Sequence, residues 1–184
     1  IIDNYRAAYD AVSYLIKTGH EKIAIAAGRR QLSLYQQRMA GYFDALKDHG
    51  LPVDERLIMN ETNGVNSFYA LTHKLLDGDI MPDAIFATSD PKAIVVIRAL
   101  KDRGLRIPED ISVLGIDNIE MSALMEPPLT TVSQPLYEMG ALAAKKLIAL
   151  IDHKNKSKDP PAPVVDVLET ELIIRKSTAG RKQL

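Results

Sequence analysis

In the stretch VLGIDN, residues 113–118, an apolar segment runs directly into a carboxylate. A strand that leaves a protein core usually ends in a turn of small or neutral residues, so Asp117 is a candidate for binding chemistry. Polar residues follow two other apolar segments. Ser89 and Asp90 come after DAIFAT, and Arg38 follows KIAIAAG at the end of the segment GRRQLSLYQQR. These residues are the candidate site of the chain.

Each candidate also has an explanation that involves no ligand. Asp117 and Asn118 suit an Asx turn, in which the side chain bonds to its own backbone. Asp90 precedes a proline, which favours the N-cap of a helix, and Ser89 is equally consistent with a structural or a binding role. Arg38 is predicted in the first turn of a helix, where a cation opposes the helix dipole. A partner elsewhere in the chain would explain that arginine.

The sequence gives no support for a reaction, a metal or a cofactor. It contains no phosphate-binding glycine loop, no dinucleotide fingerprint, no GxSxG motif and no nucleophile beside a base. The histidines stand far apart, with no second ligand at metal-binding spacing, which predicts surface or capping roles for all of them: His20, His49, His73 and His153. Binding is therefore a better prediction than enzymatic catalysis.

Composition narrows the class of protein. The chain has 184 residues, a formal charge of -1 and no cysteine, so it has no disulfide scaffold and no general attraction to nucleic acid or anionic membranes. Its basic last ten residues, RKSTAGRKQL, are interpreted as a frayed tail. No apolar run approaches the length of a membrane span, and the start IIDNYRAAYD does not resemble a signal peptide. We expect a cytoplasmic protein, and the missing initiator methionine indicates a piece of a longer chain.

Helical and strand-like patterns alternate along the first two thirds of the chain. The periodicity predicts helices at 4–18, 39–49, 68–76 and 94–103, and strands at 22–28, 56–59, 83–88 and 110–116. This alternation predicts an α/β fold with a doubly wound parallel sheet covered on both faces. Ligands of such sheets bind outside the carboxyl ends of the strands, where the three candidate segments would meet.

The alternation of helical and strand-like patterns ends after residue 125. The segment EPPLTTVSQP, 126–135, carries three prolines and is too irregular for a plain helix entry, so it is predicted to cross between lobes. A long helix is predicted over 136–151. The polar run HKNKSKDPPAP, 153–163, is a predicted linker, and VVDVLETELIIR, 164–175, is a predicted extended segment.

Six ordered motifs resemble the lactose and galactose repressor family, LacI/GalR. They cover the chain from about Asp3 to Thr178 and read YLIKTGHEKIAIAAG, RMAGYFDAL, PDAIFATSDPKA, GLRIPEDISVLGIDN, PPLTTVSQPLYEMGALAAKKL and ELIIRKST. The resemblance implies a two-lobed core like the type I periplasmic binding proteins. It assigns 1–132 to the C-terminal lobe, 133–153 to a crossover and helix of the N-terminal lobe, 154–163 to a linker, 164–178 to the return and 179–184 to a tail.

The resemblance also implies roles for the candidate site. An aspartate at the position of Asp117 would accept hydrogen bonds from ligand hydroxyls, and an arginine at the position of Arg38 would donate to the ligand from the facing loop, a combination that suits a sugar. Ser89 and Asp90 would line the same edge. Gln134 would lie at the lobe crossover. The loop before Arg38 contributes Leu34, where relatives often have smaller or polar residues.

The function implied by the resemblance is allosteric control of transcription. A small effector, expected to be a sugar, would bind in the cleft and change the affinity for operator DNA of a helix-turn-helix domain that this chain does not contain. Relatives form homodimers, here through parts of 92–103 and 120–125. Two alternatives are a sugar-binding protein of an import system, which would carry a secretion signal, and an enzyme on the same fold, which would need a nucleophile or a metal.

Overall fold

The computed structural model of the protein describes residues 1–156, 162 and 164–181. Helices and strands alternate along most of this part of the chain. The helices are α1 Asn4–Lys17, α2 Ser33–Asp48, α3 Ser67–Leu76, α4 Asp90–Asp102, α5 Glu120–Leu124 and α6 Leu136–Lys156. The strands are β1 Ile23–Ala27, β2 Ile58–Asn60, β3 Ala84–Ala87, β4 Ser112–Asp117, β5 Thr130–Ser133 and β6 Glu171–Ile173.

The strands form one sheet in the order β2-β1-β3-β4-β5-β6. The first five strands are parallel, which confirms the predicted α/β class. Strand β6 pairs antiparallel with β5, so the sheet is not wholly parallel as predicted. An antiparallel edge strand on such a sheet is common, because an edge strand has a neighbour on one side only.

Two apolar layers cover the sheet, one on each face. Ile23 and Ile25 of β1 face the cluster formed with α1 and α2, whereas Ala24 and Ala26 face the cluster formed with α3 and α4. Successive side chains of a strand point to opposite faces, so a strand covered on both faces is apolar throughout. All five residues of β1 are buried for this reason.

The ends of α1 follow the predicted signals. The Asp3 carboxylate accepts a hydrogen bond of 2.8 Å from the backbone N–H of Arg6, which caps the helix. Gly19 follows the C-cap with φ of +95°, a conformation that glycine adopts at little cost. The backbone then enters β1 in the direction that brings its carboxyl end to the candidate site.

Two elements lie where the sequence patterns gave no helix or strand. Strand β5 lies inside the segment predicted as an irregular crossover, and α5 follows β4 directly. Because of its threonines, the sequence of β5 is typical of a loop. In the fold these threonines are buried, and their hydroxyls form hydrogen bonds with buried side chains. Thr131 Oγ1 donates to Asp90 at 2.6 Å, and Thr130 Oγ1 lies 2.8 Å from Thr178 Oγ1. Tertiary hydrogen bonds therefore turn a polar segment into a core strand.

The predicted C-terminal helix is present and longer than predicted, and the segment predicted as extended contains a short strand. Helix α6 extends to Lys156, so the first three residues of the predicted linker 154–163 are helical. The rest of that linker, apart from residue 162, and the last three residues of the predicted tail 179–184 lie outside the described residues. The predicted extended return contains β6 and one bridge between Leu168 and Ile2.

His20 is a core residue rather than a surface or capping residue. It is 1% exposed, and its Nε2 lies 2.9 Å from the Ser112 hydroxyl while Nδ1 lies 2.9 Å from the Leu15 carbonyl. Burial lowers the pKa of His20, although the bond to Leu15 opposes that shift. The fold therefore holds the neutral imidazole.

This burial predicts a loss of stability in mild acid. The unfolded chain binds a proton at His20 more readily than the folded chain. The contribution of neutral His20 to the free energy of unfolding should therefore be fully present above about pH 6.5 and be lost as the pH falls below that value. Urea denaturation across this range measures the effect. A His20→Gln variant keeps a donor and an acceptor without titrating, and should show a weaker pH dependence. Equal slopes for both proteins would contradict the assignment.

Candidate functional site

The candidate site lies where the sheet changes its direction of winding. Strands β1 and β3 are neighbours, but α2 packs on one face of the sheet and α4 on the other. The two connections diverge at the carboxyl ends of these strands and leave a crevice between them. The predicted meeting of the three candidate segments is found at this crevice.

Arg38 bridges the two sides of the crevice. Its Nη1 donates to the main-chain carbonyl of Thr88 at the end of β3, and its Nε donates to Asn4 Oδ1 at 2.9 Å. The residue lies in the second turn of α2, not in the first turn as predicted, because the helix begins at Ser33. Arg38 is 5% exposed, and this burial lowers the pKa of its guanidinium.

Close packing of α1 on α2 sets the positions of Asn4 and Arg38. A Cβ atom added to Gly41 of α2 would lie 2.3 Å from the carbonyl oxygen of Tyr5 in α1, which is too short for any side chain. Glycine therefore lets the two backbones approach. That approach places the amide of Asn4, the first residue of α1, within reach of the guanidinium.

Asp117 faces Arg38 across the crevice. Its Oδ1 lies 3.8 Å from Arg38 Nη1 and accepts a hydrogen bond of 2.7 Å from Gln134 Nε2. Burial raises the pKa of the Asp117 carboxyl, and the Arg38 charge opposes this. The carboxylate keeps a quarter of its side-chain surface exposed, which leaves it able to accept further hydrogen bonds.

The backbone at Asp117 is strained. Asp117 has φ of +128° and Asn118 has φ of +52°, in a region that residues with side chains rarely adopt. The Asn118 side chain donates to Ser133 Oγ at 3.1 Å and accepts from Arg175 Nη2 at 2.7 Å. The side chains therefore bond to other segments rather than in the Asx turn that the sequence left open. Strain held in this way by surrounding contacts is typical of binding sites.

Asp90 lies beneath the crevice and joins three segments. It is the first residue of α4 and not the predicted N-cap, which is Ser89. The Asp90 carboxylate is fully buried and accepts from Thr131 Oγ1 at 2.6 Å and from the backbone N–H of Ile119 at 3.1 Å. Burial raises its pKa, and the nearby Asp117 adds to that effect. Its predicted contact with a ligand stays a prediction.

A cavity of about 370 Å³ opens at this crevice. It brings together five of the six predicted residues, namely Leu34, Arg38, Ser89, Asp117 and Gln134. The other lining residues were not predicted to bind a ligand and are Ile1, Ile2, Asn4, Tyr35 and Met139. Asn4 showed only its capping signal in the sequence, and Tyr35 showed none, because neither type marks a pocket by itself. Polar groups among apolar walls are typical of a small-molecule site.

The described residues contain no candidate metal site. Across the described ranges, no group of three or more histidine, aspartate or glutamate side chains could hold a metal ion. In the same part of the chain, no helix is long and apolar enough to cross a membrane.

Comparison with known proteins identifies the family that shares this fold. Residues 12–178 match the family described as periplasmic binding protein-like domain. The repressor CytR of Escherichia coli strain K12 is 36% identical over 177 residues, which cover 96% of this chain and 50% of CytR. The chain belongs to the LacI family. This LacI-family chain spans about half the length of the curated relatives it matches.

Solved structures of regulators superpose closely on this LacI-family chain. The complex of the transcriptional regulator CelR with cellobiose has a TM-score of 0.87 and 36% identity, covering 96% of this chain and 52% of that one. A LacI-family regulator from Enterococcus faecium with bound ribose has a TM-score of 0.82 and 30% identity, covering 98% and 65% of the two chains. The predicted family and fold are thereby confirmed.

The close packing of Gly115 against Asp90 can be tested by mutation. A Cβ atom at Gly115 would lie 2.3 Å from Asp90 Oδ1 and 3.2 Å from Leu129 Cδ2. Gly115→Ala should therefore displace the carboxylate and lower the free energy of unfolding by about 1–3 kcal/mol. Urea denaturation measures the change.

Gly140→Ala is the matched control for that variant. Gly140 lies inside α6, with nothing within 4 Å of an added Cβ. Alanine there should raise stability by up to about 1 kcal/mol through helix propensity. If Gly115→Ala and Gly140→Ala were equally stable, Gly115 would not constrain the position of Asp90.

Proposed function

We propose that this chain is the larger part of the effector-binding core of a transcriptional repressor, and that its crevice binds a sugar. The observation that carries the proposal is the pair of buried Arg38 and half-buried Asp117, which face each other at 3.8 Å across the switch point of the sheet. Both groups keep hydrogen-bonding capacity beyond the bonds they make within the chain.

The chemistry of this pair suits a hydroxylated ring. Asp117 accepts hydrogen bonds from ligand hydroxyls, and the Arg38 guanidinium donates to ligand oxygens. Leu34, Tyr35 and Met139 supply apolar surface against which a sugar ring can pack. A ligand without the matching hydroxyl would leave buried polar groups unpaired, which costs about 1–3 kcal/mol. The pocket therefore selects for hydroxyl placement.

The relatives support a regulatory role over the two alternatives. CytR is a transcriptional repressor, and CelR and the Enterococcus faecium protein are transcriptional regulators whose solved structures hold cellobiose and ribose. We therefore infer a cytoplasmic regulator that binds operator DNA through another part of the full-length protein. This role requires no cofactor and no metal.

Helix α6 supports the proposed division into lobes. Its large apolar side chains face solvent, although such residues usually lie in a core. The exposed fractions are 60% for Leu136, 59% for Leu147, 60% for Ile148, 47% for Leu150 and 54% for Ile151. We assign residues 133–153 to the first lobe, whose remaining elements would cover this surface. Gln134, bonded to Asp117 at the start of the crossover, then links ligand binding to the relative position of the lobes.

The proposed homodimer has an apolar candidate surface on α5. Leu124 is 78% exposed and Met121 is 55% exposed, and the side chain of Arg98 on α4 is also exposed. Lys92, which the sequence placed on the same dimer face, is 1% exposed and points into the core. The dimer surface on this lobe would therefore include α5 and the later turns of α4.

A charge-removing variant tests the sugar site. Asp117→Asn keeps an acceptor, tolerates positive φ and removes a partly desolvated charge, so the protein should fold as well as wild type. We expect it to lose roughly 10-fold or more in affinity for any sugar that the full-length protein binds. Isothermal calorimetry with a panel that includes ribose and cellobiose measures this.

Asp10→Asn is the control, because Asp10 is exposed on α1 and pairs only with Arg6 among the described ion pairs. It should bind like wild type. Sugar binding that is unchanged in Asp117→Asn would remove Asp117 from the site. A full-length protein that binds no hydroxylated ligand would contradict the proposed function as a whole.

The exposed face of α6 predicts self-association of the 184-residue chain by itself. Each large apolar side chain that stays wet forgoes about 1.5 kcal/mol or more, so a second copy should cover the face. Size exclusion with light scattering should show an oligomer that Leu147→Gln with Ile151→Lys weakens. A monomer in which α6 amides exchange at the unprotected rate would show that the face is simply exposed.

A further inference from the structure

A buried lysine lies behind the pocket, and the proposed function does not use it. Lys92 of α4 is 1% exposed, which is rare for a side chain that carries a charge. Its Nζ lies 3.4 Å from Ser89 Oγ and 4.0 Å from the centroid of the Tyr35 ring. Both neighbours line the cavity of about 370 Å³. Lys92 is therefore separated from the cavity by one layer of side chains.

The hydrogen-bonding capacity of this ammonium group is largely unused. An ammonium carries three N–H donors, and within the described residues Lys92 makes one long hydrogen bond, to Ser89. Glu61 Oε2 forms an ion pair with Lys92 Nζ at 4.0 Å, beyond hydrogen-bond distance, while Glu61 Oε1 accepts a hydrogen bond from Arg29 Nε at 2.8 Å. The contact with the Tyr35 ring offsets only part of the cost of burying the charge.

The charges around the pocket leave one cation unbalanced. Arg38 faces Asp117, whereas Arg29 and Lys92 share the single carboxylate of Glu61. Asp90, the remaining acid at this edge, has both oxygens held by Thr131 and Ile119 and lies in the field of Arg175. The balance at this end of the pocket favours a negatively charged ligand group.

The N-terminus of α2 adds positive electrostatic potential at this end of the pocket. Leu32, the N-cap residue of α2, supplies no side-chain hydrogen bond to the helix, and the first turn contributes Leu34 and Tyr35 to the pocket wall. The N-terminus of a 16-residue helix carries partial positive charge and free N–H groups. Lys92 and this helix end therefore act on the same part of the pocket.

We propose that Lys92 and Ser89 form an anion subsite, and that the effector carries a phosphate or carboxylate group in addition to hydroxyls. Ser89 Oγ–H donates to the anion from the pocket wall, and Lys92 reaches it when the Tyr35 ring moves aside. Tyr35 packs on the backbone of Gly28, where an added Cβ would be 2.2 Å from the ring, so residue 28 places no side chain beside the ring. This inference rests on the proposed function and narrows its ligand class.

The protonation of Lys92 is consistent with this role. Burial lowers the pKa of Lys92 to about 8, while Glu61 and Asp117 oppose that shift and Arg38 adds to it. The amine is therefore mostly charged at neutral pH. An incoming anion would pair with a cation that is already present.

Methionine at position 92 tests the proposal in the full-length protein. Lys92→Met keeps the length of the side chain and removes the charge, and Glu61 retains its pair with Arg29. We expect the affinity for inorganic phosphate, followed by calorimetry and thermal shift, to fall by roughly 10- to 100-fold. Lys47→Met, at an exposed position on α2, is the control and should bind phosphate like wild type.

Matched neutral and charged sugars separate this proposal from the proposed function. The probes are glucose with glucose 6-phosphate and gluconate, and ribose with ribose 5-phosphate. We expect a charged member to bind more tightly than its neutral partner, and Lys92→Met to abolish that preference while neutral sugars bind as before. Asp117→Asn should weaken both members of a pair, because it removes the group that contacts hydroxyls.

Three results would overturn the anion subsite. One is a phosphate affinity that Lys92→Met leaves unchanged or that Lys47→Met lowers equally, which would indicate an adventitious ion only. Another is a set of neutral and charged sugars that bind alike in wild type. The third is a ligand-free Lys92→Met protein that melts well below wild type, which would make Lys92 a structural partner of Glu61. Sugar binding through Asp117 would be unaffected by any of these results.

Discussion

The hydrogen bond from Arg38 to the Thr88 carbonyl holds the two sides of the crevice together. The end of a parallel strand exposes a carbonyl that has lost its partner in the sheet, and a buried carbonyl must be satisfied. Arg38 supplies the donor from α2, on the opposite side of the switch point. One guanidinium thus completes the hydrogen bonding of β3, anchors α2 through Asn4 and presents a positive charge to Asp117.

Buried polar groups connect this bond to the rest of the sheet. Asp90 ties α4 to β5 and to the segment after β4, while Arg175 ties the C-terminal segment to Asn118 and to the Leu129 carbonyl. These contacts hold the positive φ angles of Asp117 and Asn118 in place. Because low dielectric strengthens each bond and makes an unpaired group costly, the network specifies one arrangement of the pocket floor.

The two ends of the pocket differ in how fully they are built. At Asp117, the polar groups already have partners that fix their geometry. At Lys92, an ammonium group stands behind Tyr35 and Ser89 with most of its donors unused. Hydroxyl recognition needs fixed acceptors, whereas an anion supplies the missing partner itself. The proposed effector, with hydroxyls at one end and an oxyanion at the other, satisfies both ends.

Local patterns in the sequence determined the helices and the central strands. The Asp3 cap, the left-handed Gly19 and the two-sided apolar run of β1 each follow from the chemistry of a few neighbouring residues, and the shared edge of parallel strands brings Arg38, Ser89 and Asp117 together. The LacI resemblance placed the remaining candidates, because its motifs span nearly the whole chain.

Only the tertiary structure decided which polar residues are buried. His20, Lys92 and the threonines of β5 read as surface or loop residues because a side chain's type does not show whether distant partners will meet it. Asp90 looks like a helix cap by its position before a proline, yet its oxygens bond to segments 29 and 41 residues away. Hydrogen bonds of that kind depend on long-range packing, and no local pattern in the sequence encodes them.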